Sequence, residues 1–121
     1  DARDLYDVFT DPKYFDVPAD RVVLLTATPD EKRHAQKATR ENVLKALHEA
    51  FAKTGGTDTV ILGWFGRGAF AGDSTALFTT DTVFKERAKT AVLGSDLEKD
   101  LRAAEDKKIV LLMDVHFKGY D

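Results

Sequence analysis

The feature that most limits the fold is an alternation of short, nearly unbroken apolar runs with stretches of helical period. Three such runs occur, Arg21-Val-Val-Leu-Leu-Thr26, Thr59-Val-Ile-Leu-Gly-Trp-Phe65 and Lys108-Ile-Val-Leu-Leu-Met113. The first has a β-branched pair and no clean alternation, which suits a strand covered on both faces. Between the first two runs, Val43, Leu44, Leu47 and Phe51 line one stripe of a helix that begins near Thr39 and ends at Gly55-Gly56. Before the third, Ser95-Asp-Leu-Glu98 has the form of a capping box, with Leu97, Leu101 and Ala104 inward on the helix it opens. Strands alternating with helices predict an α/β fold with a mainly parallel sheet between helices.

The remaining segments are minor. Residues 1–9 read as a helix with Ala2, Leu5, Val8 and Phe9 on one face, stopped by Pro12. Thr28-Pro-Asp-Glu31 reads as a helix start with Thr28 as cap, followed by a short polar helix. Ala76 to Thr80 reads as a small outlying strand.

Right-handed crossovers bring the strand C-termini to one edge of a parallel sheet, and ligands bind beyond that edge. Two glycine-bracketed loops fall there, 66–68 and 114–119. Gly66-Arg67-Gly68 reads either as a plain strand-exit turn or as a mount for Arg67, whose guanidinium could pair with a carboxylate or phosphate. It lacks the third glycine of a dinucleotide fingerprint and is not followed by the Gly-Lys-Ser/Thr of a phosphate-binding loop. Asp114 and His116 flank the third strand's end, where an aspartate could orient an imidazole or both could ligate a metal. His34 and His48 match no zinc spacing, and Asp73 and Asp81 read as solvated loop residues. Ser74 has no nucleophile elbow. Trp64 and Phe65 read as core. No metal site and no cofactor are expected.

A chain of 121 residues predicts one domain, 1–121. The net charge of −3 is spread over interleaved acids and bases, so no nucleic-acid footprint is expected. No apolar run approaches the ~18 residues of a membrane span, and no signal-peptide pattern is visible. The expected setting is cytoplasmic. Cysteine is absent, which removes disulfides and thiolate chemistry.

At the two loops the sequence resembles the caspase-like cysteine peptidases, especially their bacterial and metacaspase-like branch. In that family an apolar strand ends in Gly-His-Gly, whose histidine is the catalytic base. A later strand ends in Asp-Ala-Cys-His/Phe-Ser-Gly, whose cysteine is the nucleophile. Here Trp64-Phe65-Gly66-Arg67-Gly68 resembles the first motif, with Arg67 at the histidine position. Leu112-Met113-Asp114-Val115-His116-Phe117-Lys118-Gly119 resembles the second, with His116 at the cysteine position and Lys118 at the serine. Ala38 to Leu47 resembles a helix opening common in the same branch.

The resemblance implies a three-layer αβα domain. It also implies an incomplete one, because the family's first strand lies between its second and third and its last strands follow later. It implies no catalytic residue: Arg67 stays protonated and cannot act as a base, and no cysteine stands at 116. What remains is a binding cleft of Gly66, Arg67, Gly68, Asp114, His116 and Lys118. The expected role is binding, scaffolding or regulation through a protein or peptide partner, such as the rest of its own domain or an active homologue. The alternatives are a part of an active assembly whose catalytic residues lie elsewhere, and a hydrolase with relocated chemistry.

Overall fold

The computed structural model describes residues 2–117. The chain divides into two compact units, one ending at Ala38 and the other beginning at Thr39.

The first unit opens with helix α1 (Ala2–Thr10), which buries Tyr6. The run 21–26 does not form the long buried strand expected of it. A 3-10 turn at Ala19–Arg21 holds its first residue, and only β1 (Leu25–Thr26) pairs, in parallel with β2 (Gln36–Lys37). Leu24 is buried while Val23 stays exposed. The cap expected from Thr28 is supplied instead by Asp30, whose carboxylate accepts from Arg33 N and closes the 3-10 turn Glu31–Arg33. Thr28 serves elsewhere: its Oγ1 accepts from Arg3. Arg33 also forks onto both oxygens of Asp7 at 2.9 and 2.8 Å, which ties α1 to this turn.

In the second unit, α2 (Arg40–Lys53) starts where the sequence places it. Thr39 accepts from Asn42 N at 3.2 Å, satisfying a free first-turn donor. Asp81 accepts from Arg40 N, satisfying another. Val43, Leu47 and Phe51, four residues apart, form its buried stripe. Helix α4 (Gly94–Ala103) follows the short α3 (Arg87–Thr90) and β5 (Val92–Leu93). Its first turn is capped by Asp96, which accepts from Leu93 N at 2.9 Å, rather than by Ser95. The nearly buried Asp100 of α4 meets His48 Nδ1 of α2 at 3.3 Å.

The expected mainly parallel sheet is not what forms. Among the described residues the sheets are the two-stranded β1–β2 and a four-stranded sheet ordered β5-β4-β3-β6. In the latter, β3 (Thr59–Ala71) runs parallel to β6 (Lys108–His116), but β4 (Ser74–Leu77) is antiparallel to both of its neighbours, β3 and β5. The cause is local. Strand β3 does not stop at Phe65; it stays extended through Gly66-Arg67-Gly68 to Ala71. There the two residues Gly72-Asp73 reverse it, with Ala71 opposite Ser74. Gly72 has φ +61°. A two-residue hairpin needs such a positive φ, and glycine adopts it without penalty. The returning strand is therefore antiparallel.

Strand β3 alternates from Thr59 to Gly68, and the alternation breaks at Ala69, which is buried beside Gly68. Val60, Leu62, Trp64, Gly66 and Gly68 point to the covered side, while Thr59, Ile61, Phe65 and Arg67 are exposed. The ladder to β4 reaches only Gly68–Ala71. No strand among the described residues pairs with Thr59–Gly66 on the side away from β6. Among the described residues strand β6 has a partner on one edge only.

Candidate functional site

The first expected loop and the start of the second turn out to be strand. Gly66-Arg67-Gly68 lies inside β3, and Asp114 to His116 forms the last third of β6. The consequence is to bring the sequence candidates together. The parallel register sets Phe65 opposite Asp114, Gly66 opposite Val115, and Arg67 opposite His116. Neighbouring strands lie about 4.8 Å apart and opposite residues share a face. Arg67, His116 and Asp114 therefore stand on one exposed face, with Phe65 beside them. Lys118, and Gly119 after it, lie outside the described residues.

His116 Nε2 is 3.1 Å from Asp114 Oδ1, with the two side chains 71% and 64% exposed. Water screens a pair that open, so it contributes at most about 1 kcal/mol. The contact places the imidazole beside the Asp114 carboxylate. Arg67 contributes a permanent cation with five donors and no acceptor. The arrangement can hold an anion, for which a guanidinium fork is suited. Neither thiol nor hydroxyl stands at 116 to attack a carbonyl.

The two glycines differ in role. A Cβ on Gly66 would have Trp64 Nε1 at 3.6 Å as its nearest neighbour, an ordinary contact. A Cβ on Gly68 would come within 2.7 Å of Ala76 O and 3.1 Å of Phe117 Cε1. Gly68 is thus required by the close approach of β4 rather than by a turn. Neither has the left-handed backbone that Gly72 has.

The other candidates fall elsewhere. His48 is held by Asp100, and His34 occupies the left-handed C-cap of the turn 31–33. Asp81 is structural: Thr79 Oγ1 and Arg40 N donate to it, and those bonds hold its carboxyl below the usual range despite some desolvation. Asp73 sits in the hairpin turn and Ser74 begins β4. Among the described residues, no group of three or more histidines and acids could hold a metal ion. No described helix is long and apolar enough to cross a membrane.

The residue missed from the sequence is Phe65. Its place beside Trp64 in an apolar run predicts core, yet it is 36% exposed and stands opposite Asp114. The signal was available in strand alternation: adjacent residues of one strand cannot both face inward.

No family model, no curated protein and no solved structure matches this chain.

Proposed function

We propose that this chain is a non-catalytic binding domain, related to the caspase-like cysteine peptidases, that takes a carboxylate-bearing peptide or protein segment at Arg67 and His116. The observation that carries the reading is the register that sets Arg67 opposite His116. These are the two positions at which the resemblance expects base and nucleophile. A working pair would need to be neighbours, and the residues found there are a cation and an imidazole. They favour an anionic group and cannot form an acyl-enzyme by thiolate attack. Phe65 on the same face offers an apolar contact beside the charge.

The test is fluorescence anisotropy with short peptides that differ only in one Asp, Asn or Ala. Binding that depends on the acid and weakens about tenfold in Arg67→Ala is expected, the loss of one charge-assisted fork. Equal binding of the Asp and Asn peptides, or no effect of Arg67→Ala, contradicts the reading. So does stoichiometric labelling of the chain by a covalent cysteine-peptidase probe.

A second reading has one observation behind it, the 3.1 Å contact of His116 with Asp114. Such a pair could act as a general base on water. It requires hydrolysis of a peptide or ester that vanishes in His116→Ala.

A further inference from the structure

We infer that the aromatic surface formed by the end of β3 and the turn before α3 docks an acidic segment of another protein, one in which Glu or Asp alternates with large apolar side chains. The surface is built around Arg87. A 3-10 turn, Phe84–Glu86, leads into α3, which Arg87 opens. Arg87 Nε donates to Phe70 O at 2.6 Å and Nη1 donates to Phe84 O at 3.0 Å. The guanidinium carbon also lies 4.6 Å from the centre of the Phe84 ring, within cation–π range. Thr90 braces the turn, its Oγ1 accepting from Val83 N at 2.9 Å. Two carbonyls and a ring thus hold the guanidinium in place, and among the described residues no hydrogen bond uses its Nη2.

The apolar side chains beside it are open to solvent: Phe70 is 61% exposed, Val83 49% and Phe84 44%. They are also held. Phe70 stacks on Phe117 with ring centres 6.2 Å apart, and Phe84 meets Phe78 edge-on at 6.1 Å. A lone exposed apolar residue needs no explanation. Exposed aromatic rings fixed around an arginine that is already positioned are different. The ordering that association would otherwise have to supply is completed on folding, and aromatic residues and arginine are the side chains that dominate binding energy at protein interfaces.

Charge names the partner. Over residues 82–92 there are three cations, Lys85, Arg87 and Lys89, and one acid, Glu86. Lys85 and Lys89 are exposed. In a chain of net charge −3 this stretch is a basic island, and it attracts acids. A guanidinium lying over Phe84 keeps its edge for a carboxylate. Apolar side chains on either side of that carboxylate then find Phe70, Val83 and Phe84. Aromatic rings beside arginine also suit single-stranded nucleic acid, but that needs a basic groove to track the phosphates. Three cations on an acidic chain do not make one, so the acidic peptide is favoured. None of these side chains belongs to the Arg67–His116 site.

Fluorescence anisotropy tests the inference, with the full chain carrying Arg67→Ala so that the site proposed above does not hold the probe. The probes are a labelled peptide of alternating Glu and Phe, the same peptide with Gln for Glu, and an oligouridylate. The Glu peptide is expected to bind about tenfold more tightly than the Gln peptide. Phe70→Ser and the pair K85E/K89E should each weaken it about tenfold, as should Arg87→Lys, which keeps the charge and loses the fork. Circular dichroism checks that each variant keeps its fold; positions 70, 85 and 89 are exposed. Equal binding of the Glu and Gln peptides, tighter binding of the oligouridylate, or unchanged binding in Phe70→Ser or K85E/K89E overturns the inference. So does a Glu peptide that fails to bind the Arg67→Ala chain; if it still binds the wild type, the Arg67 site stands and this surface does not.

Discussion

Glycine at 68 shows how a residue can be chosen for reasons its motif conceals. The Gly-x-Gly pattern reads as a strand-exit turn or as a mount for Arg67. The structure separates its two glycines by what a methyl group would strike. At 68 it would meet a backbone oxygen, Ala76 O, which cannot rotate away. At 66 it meets nothing closer than 3.6 Å. Gly68→Ala is expected to lower unfolding stability in urea by about 1–3 kcal/mol, the usual cost of overpacking. Gly66→Ala should be neutral or raise it by up to about 1 kcal/mol, because glycine in a strand loses more backbone freedom on folding. Equal effects at the two positions would mean that β4 does not approach β3 as described. The identity of Arg67 and His116 was readable directly from the sequence. Their exposure was not, because it depends on strand parity that holds only if β3 runs on past Phe65.

At the scale of elements, the helices were more legible than the strands. The Thr39 cap and the spacing of Val43, Leu47 and Phe51 fix α2 by local chemistry alone. Runs of Val and Leu carry no such punctuation. The run 21–26 and the run 108–113 look alike, yet the first contributes two paired residues and the second lies within a nine-residue strand. What separates them is partners distant in sequence. In the first unit, long-range order comes from charge. Arg33 hydrogen-bonds Asp7, and the bond outweighs desolvation to hold that carboxyl below its usual value. Desolvation would raise Asp30, but its bonds from Arg33 prevail and its carboxyl is also lowered. Both acids thus have folded values below their unfolded ones. Their contribution is complete above the unfolded value of about 4 and is lost as pH falls through the folded values. The thermal midpoint should therefore drop on acidification below about pH 4, and Arg33→Ala should make that drop shallower. An unchanged acid limb in Arg33→Ala would show that the Arg33 bonds do not set it.

At the scale of the whole molecule, the α/β class follows from alternating apolar runs and helical stretches, but the sheet direction does not. One hairpin at Gly72-Asp73 makes β4 antiparallel, and nothing in the strand periodicity announces it. The same extension of β3 creates the candidate site. Had β3 ended at Phe65 and β6 at Met113, residues 67 and 116 would lie on separate loops with no fixed relation. The anion site proposed for this chain depends on their being neighbours on one face. The chain has no cysteine, so the test has no background. Arg67→Cys combined with His116→Cys, treated at high dilution with a short bifunctional thiol reagent, should cross-link within one chain in high yield. The control R67C/V115C places the second thiol on the opposite face and should not. Cross-linking of both pairs alike, or of the control alone, would contradict the register on which the account stands.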